Sequence, residues 1–315
     1  MNILITGGAG FIGSSLVEIL LKEGQFKIYC LDNFDAFYDK KIKQKNIQNF
    51  FNNKNFNFIE KDILHISSLE INEKIDCIVH LAAKAGVRPS IENAESYFDV
   101  NVNGTLKVLE YAKRKNIKKV IFASSSSVYG VNKNIPWKTV ELDLQPISPY
   151  ASSKIAAEKI GFTYSYLFDI KFIALRFFTV YGPKQRPDLA ISKFISKIYN
   201  NETIQIYGDG STSRDYTYID DIIEGIYKAI QYNPVNHFEV FNLGNSKTIK
   251  LIDLVNTIGN VIDKLPEIEY QDEQEGDVPL TFSDITNSQI KLGYNPKTSI
   301  KEGIEKQFKY YLNQI

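Results

Sequence analysis

The 315-residue chain carries 37 basic and 37 acidic side chains, a formal net charge of zero. That balance removes any electrostatic case for a nucleic-acid or anionic-membrane partner. An apolar fraction of 43% and a charged fraction of 23% suit a globular chain long enough for one large domain or two intimate ones. Cys30 and Cys77 fall in apolar runs and read as core thiols in a reducing compartment. His65, His80 and His237 are scattered without ligand spacing, so no structural metal is expected. The chain begins Met1-Asn2-Ile3-Leu4, with no export signal and no apolar run near ~18 residues, which predicts a cytoplasmic protein.

The first apolar run, Asn2–Thr6, leads into Gly7-Gly8-Ala9-Gly10-Phe11-Ile12-Gly13, and a helical pattern follows through Leu16, Ile19 and Leu20. Strand, glycine-rich turn and helix in that order are the context a dinucleotide fingerprint requires. Gly7 suits the tight turn, Gly10 lets the backbone approach a pyrophosphate, and Gly13 lets the helix pack close to the strand. A second strand, Lys27–Leu31, ends in Asp32-Asn33. An acid roughly 20 residues past the glycines can accept both ribose hydroxyls and repels a 2′-phosphate, which favours NAD over NADP.

Residues 35–55 show no clean period and read as a surface loop or short helix. A third strand, Phe56–Ile59, runs on to Asp62-Ile63, where the acid can hold an adenine amino group or simply close a turn. A fourth, Asp76–His80, leads into Leu81-Ala82-Ala83-Lys84-Ala85-Gly86-Val87-Arg88. Its small residues leave room for a cofactor against the backbone. Arg88 is either a partner for a substrate anion or a solvated loop charge. Residues 91–115 read as one long amphipathic helix, with Val100, Leu106, Val108 and Leu109 inward and Asn101 towards the cofactor region.

The fifth strand, Lys119–Ala123, delivers Ser124, Ser125, Ser126 and Ser127 at its carboxyl end, where ligands bind in parallel sheets. A return loop containing Pro136 and Trp137 then brings the chain to Tyr150 and Lys154, which share one face if the segment is helical. A phenol titrates near about 10, and lowering it by roughly three units takes about 4 kcal/mol. One ammonium at a wet surface cannot easily supply that, but a second cation such as an oxidised nicotinamide ring can complete it.

Strand and helix units alternate to about residue 175, predicting an α/β, doubly wound parallel sheet of the Rossmann kind. After Thr179 the elements shorten. The expected division is a dinucleotide-binding domain at 1–178 with a return segment at about 216–244, and a smaller α/β substrate lobe at 179–215 and 245–315.

The glycine turn, Asp32, the serine cluster and Tyr150-x-x-x-Lys154 together resemble the extended short-chain dehydrogenase/reductase family of nucleotide-sugar epimerases and dehydratases. The resemblance continues through Arg176-Phe177-Phe178, Tyr181-Gly182-Pro183, Gly208-Asp209-Gly210, Arg214-Asp215-Tyr216 and Gly276-Asp277. It implies a tightly held NAD, a UDP-sugar in the cleft, and a homodimer that pairs the helices near 91–115 and 150–168. Tyr150, Lys154 and Ser125 are the implied catalytic set. Phe11, Ile12, Asn33, Ile63, Ser124 and Phe177 join the glycines and acids as implied cofactor contacts.

Family members that eliminate water or decarboxylate generally carry an acid just before Val-Tyr-Gly, where this chain has Ser127 and Val128-Tyr129-Gly130. That departure favours simple C4 epimerisation. Ala85-Gly86-Val87-Arg88, Gln185-Arg186-Pro187-Asp188 and Gly276-Asp277-Val278-Pro279 most resemble UDP-glucuronate 4-epimerases. Galactose-type relatives tend to have Asn at Thr179 and Arg at Gln274, so Arg214, with Arg88, is expected to carry more of the pyrophosphate charge. Ser126, Ser127, Thr179 and Arg186 are the candidates for holding a sugar carboxylate, and Tyr207 and Asp277 for further substrate contacts. The competing readings are a UDP-glucose or UDP-N-acetylglucosamine 4-epimerase, a dehydrogenase consuming free NAD, and a non-catalytic dinucleotide sensor.

Overall fold

The computed structural model describes residues 1–272, 276 and 278–315. Its strands are β1 (Asn2–Thr6), β2 (Lys27–Asp32), β3 (Phe56–Glu60), β4 (Cys77–His80), β5 (Lys119–Ser125), β6 (Lys171–Phe177), β7 (Thr179–Tyr181), β8 (Ile204–Tyr207), β9 (Ser213–Arg214), β10 (Tyr216–Tyr218), β11 (Phe238–Leu243), β12 (Ile249–Lys250) and β13 (Ile268–Gln271). Seven of them form one parallel sheet in the order β11-β6-β5-β4-β1-β2-β3. Ile3, Leu4 and Ile5 are all fully buried, as a central strand covered on both faces requires. Ile3 and Ile5 join one apolar cluster and Leu4 the other, because successive side chains point to opposite faces.

The helices are α1 (Phe11–Glu23), α2 (Lys40–Ile47), α3 (Val87–Glu92), α4 (Ala94–Phe98), α5 (Gly104–Arg114), α6 (Pro149–Phe168), α7 (Ala190–Tyr199), α8 (Ile219–Gln231), α9 (Leu251–Ile262), α10 (Thr286–Leu292) and α11 (Ile300–Leu312). One face of the sheet is covered by α1 and α8, through Leu16, Val17 and Leu20 against Ile222, Ile223 and Ile226. The other is covered by α5 and α6, through Val108, Leu109 and Ala157. Ser148 starts α6 as its N-cap, accepting from the Ala151 N–H at 3.2 Å, with Pro149 in the first turn where no amide is needed.

The long helix expected over 91–115 is broken instead. Asn93 (φ −142°, ψ 66°) separates α3 from α4, its side chain accepting from the Ser96 N–H in competition with helix continuation. A π-helical turn over Asp99–Asn103 then rotates Asn101 inward before α5 resumes.

The chain leaves the sheet after β6 and comes back through β10, α8 and β11, the seventh strand. β7, placed by sequence in the smaller lobe, pairs in parallel with β10 of the returning segment. Two more strand pairs, β8 with β13 and β9 with β12, lie beyond the sheet with α7 and α9 packed near them. Asp215, fully buried, knots these parts together: its carboxylate accepts from the backbone N–H groups of Asn245, Ser246 and Ser283 at 2.7, 3.1 and 3.1 Å.

Candidate active site

The carboxyl ends of β1, β2, β4 and β5 converge on a cavity of about 390 Å³. Its floor is the glycine turn. Gly7 has φ +70°, and a Cβ there would stand 2.7 Å from the Ala82 nitrogen. On Gly13 a Cβ would stand 2.2 Å from the Gly7 oxygen, so any side chain would push α1 off the turn. Gly10, Phe11 and Ile12 complete the lining at the helix start.

Asp32, at the end of β2, is 6% exposed and accepts from the Ala9 and Phe34 backbone N–H groups at 3.1 and 2.8 Å. Burial raises its carboxyl above the ordinary value, while those hydrogen bonds and Lys43 pull it back down. Asn33 and Asp62 line the same end, joined by a 2.7 Å hydrogen bond, with Ile63 beside them. Leu81, Ala82, Ala83 and Lys84 form one wall, and Ser124, Ser125, Tyr150, Lys154 and Phe177 close the far end. Glycines without room for a Cβ at one point, a buried carboxylate at one end and a Tyr–Lys pair at the other fit an extended dinucleotide.

Asn101 stands behind the cavity wall and hydrogen-bonds it. It is 1% exposed and outside the cavity wall, because its amide is spent on scaffolding. It accepts from the Lys84 N–H at 2.8 Å and donates to the Lys84 carbonyl at 3.0 Å and the Ser153 hydroxyl at 2.9 Å. It therefore positions the cavity wall against α6.

A second cleft, of about 230 Å³, shares Gly86, Ser125, Tyr150, Phe177, Phe178 and Thr179 with the first. Ser126, Ser127, Trp137, Gly276 and Arg214 extend it. No carboxylate lines it among the described residues. At the junction the Tyr150 phenol stands beside Ser125, whose hydroxyl draws the phenol pKa down. Ser125 in turn accepts from the Ser127 hydroxyl at 2.8 Å.

Burial raises the Tyr150 phenol above its ordinary 10, against the pull of Ser125 and Arg186. Lys154, 3% exposed, donates to the Ala123 carbonyl at 2.8 Å, with Nζ 5.9 Å from the Tyr150 ring centroid. Burial lowers its ammonium to about 7, opposed by Glu158 one turn on. With protein groups alone the phenol stays protonated at neutral pH, as expected for a site that needs a second cation.

Three expected substrate contacts sit elsewhere. Arg186 borders the dinucleotide cavity and not the serine cleft. Its fork is taken by Asp188, at 3.0 and 2.7 Å, and its guanidinium lies 4.7 Å from the Phe37 ring centroid. A sequence neighbour two residues away has claimed the bidentate geometry expected for a sugar carboxylate. Arg88 and Tyr207 line neither cavity; they pack on each other, guanidinium carbon 5.1 Å from ring centroid. Asp277 and Gln274 lie outside the described residues.

Sequence reading missed Phe37, Tyr38 and Lys43, which wall the cavity from the segment read as a surface loop. The available signal was the Asx chemistry of Asn33, Asp35 and Asp39, each accepting from the N–H two residues on. It also missed Glu158, buried beside Lys154.

Residues 3–244 match the NAD dependent epimerase/dehydratase family. The UDP-glucuronate 4-epimerase of Thermodesulfobacterium geofontis is 38% identical over 96% of this chain and 94% of its own. The solved UDP-glucuronic acid 4-epimerase of Bacillus cereus, in complex with UDP-glucuronic acid and NAD, matches at a TM-score of 0.93 and 33% identity, covering 100% of both chains. The UDP-N-acetylglucosamine 4-epimerase of Methanobrevibacter ruminantium M1, in complex with UDP-N-acetylmuramic acid, matches at 0.92 and 33%, covering 100% of this chain and 99% of the other. With a glycine turn, a Tyr–Lys pair and a shared cleft in place, the chain belongs to the NAD-dependent epimerase/dehydratase family.

Proposed function

We propose that this protein is an NAD-dependent UDP-glucuronate 4-epimerase, an isomerase that converts UDP-glucuronate to UDP-galacturonate. The observation that carries the reading is the Tyr150 phenol, beside Ser125, in the wall common to the dinucleotide cavity and the second cleft. Tyr150 takes the proton of the sugar 4-hydroxyl, and Ser125 holds that oxygen. NAD, held by the glycine turn and Asp32, would supply reversible hydride transfer at C4. Lys154 holds positive charge beside the phenol and anchors the nicotinamide ribose. The sugar ring turns between removal and return of the hydrogen, so the other C4 face receives it. Arg214, the cation lining the second cleft among the described residues, anchors the diphosphate during that turn.

The 4-keto form of a uronic acid is a β-keto acid and loses carbon dioxide when its carboxylate stands perpendicular to the carbonyl plane. Ser126, Ser127 and Thr179, all in the second cleft, supply neutral donors that hold the carboxylate away from that geometry. Ser127 in the position before Val128-Tyr129-Gly130, where eliminating members of the family carry an acid, supports epimerisation over elimination.

The test is incubation with UDP-glucuronate, UDP-glucose and UDP-N-acetylglucosamine separately, with the products resolved. Interconversion at C4 of UDP-glucuronate without accumulating NADH supports the proposal. Turnover of a neutral sugar only shifts it to the alternative, and NADH accumulation points to a dehydrogenase. We further read the protein as a cytoplasmic homodimer. Cys30 and Cys77 are free and buried, and Phe98 on α4 and Tyr166 on α6 are exposed on the helices such dimers pair.

A further inference from the structure

Three successive residues at the end of β5 meet three successive turns of α6. Ser125 stands beside the Tyr150 phenol, the Ala123 carbonyl accepts from Lys154, and the Ser124 hydroxyl donates to the Glu158 carboxylate. Tyr150, Lys154 and Glu158 follow one another at four-residue spacing, so they form one stripe along the helix. The third rung has no part in the reaction. Ser124 and Glu158 are each 3% exposed. Glu158 also takes Nε and Nη2 of Arg176 at 3.0 and 2.8 Å, and Arg176 is the register partner of Ser124 on β6. A carboxylate caged by a fork and a hydroxyl away from water holds its position firmly, because displacement leaves desolvated charge unpaired. The rung thus sets where α6 sits along β5, and Tyr150 two turns away inherits that placement.

We propose that Glu158 and Ser124 are positioning residues for the Tyr150–Lys154 pair, Glu158 acting through its grip on β5 and through its charge one turn from the Lys154 ammonium. The proposal rests on reading Tyr150 as the base. The groups facing Lys154 are Tyr150 and Glu158 on its own helix, the Ala123 carbonyl and Phe122 ring of β5, His80 of β4, and Arg176 of β6 behind Glu158. Burial drives His80 down to about 3, which keeps it neutral. Glu158 is therefore the anion that resists the downward pull of burial on Lys154. Without its charge, Lys154 is less cationic at neutral pH and the phenolate loses support.

Three variants separate grip from charge. Glu158→Gln removes the charge and keeps an acceptor for Arg176. Glu158→Asp keeps the charge and shortens the reach. Ser124→Ala deletes only the hydroxyl. Titration of Tyr150 is read from the ultraviolet absorbance of tyrosinate in the NAD-loaded proteins, each against its own Tyr150→Phe counterpart. We expect Glu158→Gln to move both this titration and the rising limb of the pH–rate profile to higher pH. Glu158→Asp should keep the titration near wild type while lowering kcat. For Ser124→Ala, kcat should fall about tenfold with KM within about twofold. If Glu158→Gln does not fold, the other two variants decide. A folded Glu158→Gln protein with wild-type titration, or a Ser124→Ala protein with unchanged kcat, overturns the proposal. A wild type that epimerises no UDP-sugar sinks the functional reading instead, and the tyrosinate titration still tests the positioning.

Discussion

At the residue scale the chemistry rests on hydroxyls whose neighbours decide what they do. Tyr150→Phe removes the proton acceptor but keeps the ring that packs edge-on near Tyr97, with centroids 6.2 Å apart. Turnover should fall at least about a thousandfold, within the span general base catalysis supplies, while UDP-sugar affinity stays within a few-fold. Steady-state rates and binding calorimetry check both halves. Thr179 lines both cavities and is the least entangled of the carboxylate-holding candidates. Thr179→Val should raise the share of UDP-pentose among the products, read by mass, and an unchanged share would remove Thr179 from that role. Arg186 behaves differently, since its fork is held by Asp188 and its face by Phe37. Arg186→Met should weaken retention of NAD through repeated gel filtration more than it alters the product ratio.

At the element scale α6 carries the catalytic pair, and its approach to the sheet depends on one small residue. A Cβ on Gly161 would stand 2.3 Å from the Phe172 ring, on β6 directly beneath. Gly161→Ala should therefore destabilise the fold by about 1–3 kcal/mol through overpacking, despite the better helix propensity of alanine. A shift in the urea midpoint without a change in slope is the expected reading. The break between α3 and α5 belongs to the same scale. A continuous helix would have left Asn101 on the wrong turn to grip Lys84 and Ser153. Its apolar spacing was legible, but the competing Asn93 cap and the π turn were not, since neither disturbs the period of Val108 and Leu109.

Across the whole molecule, one source of pH sensitivity is the buried imidazole of His80 between β1 and α5. His80 faces the Thr6 hydroxyl at 2.7 Å and the Thr105 hydroxyl at 3.1 Å. Burial holds its folded pKa at about 3 against 6.5 when exposed. The unfolded chain therefore binds the proton first, so this stability is complete above 6.5 and lost progressively as pH falls towards 3. The slope from this one group approaches about 1.4 kcal/mol per pH unit. Denaturant midpoints compared at neutral and mildly acidic pH should show the loss, and His80→Asn should flatten it. If the variant follows the same slope as wild type, other groups carry the acid sensitivity.

The backbone pattern and the chemistry class were local properties. Buried parallel strands are continuous apolar runs, glycines mark turns that admit no side chain, and Tyr150 and Lys154 share a face at any four-residue helical spacing. Those features need no knowledge of what lies across the molecule. Which charges are spent on one another is different. Arg186 stacking on Phe37, Arg88 packing on Tyr207, and Glu158 caged by Arg176 and Ser124 all depend on distances closed only when separate segments meet. A guanidinium can engage a ligand or a neighbouring ring or carboxylate with similar chemistry, so tertiary proximity alone decided which partner it took.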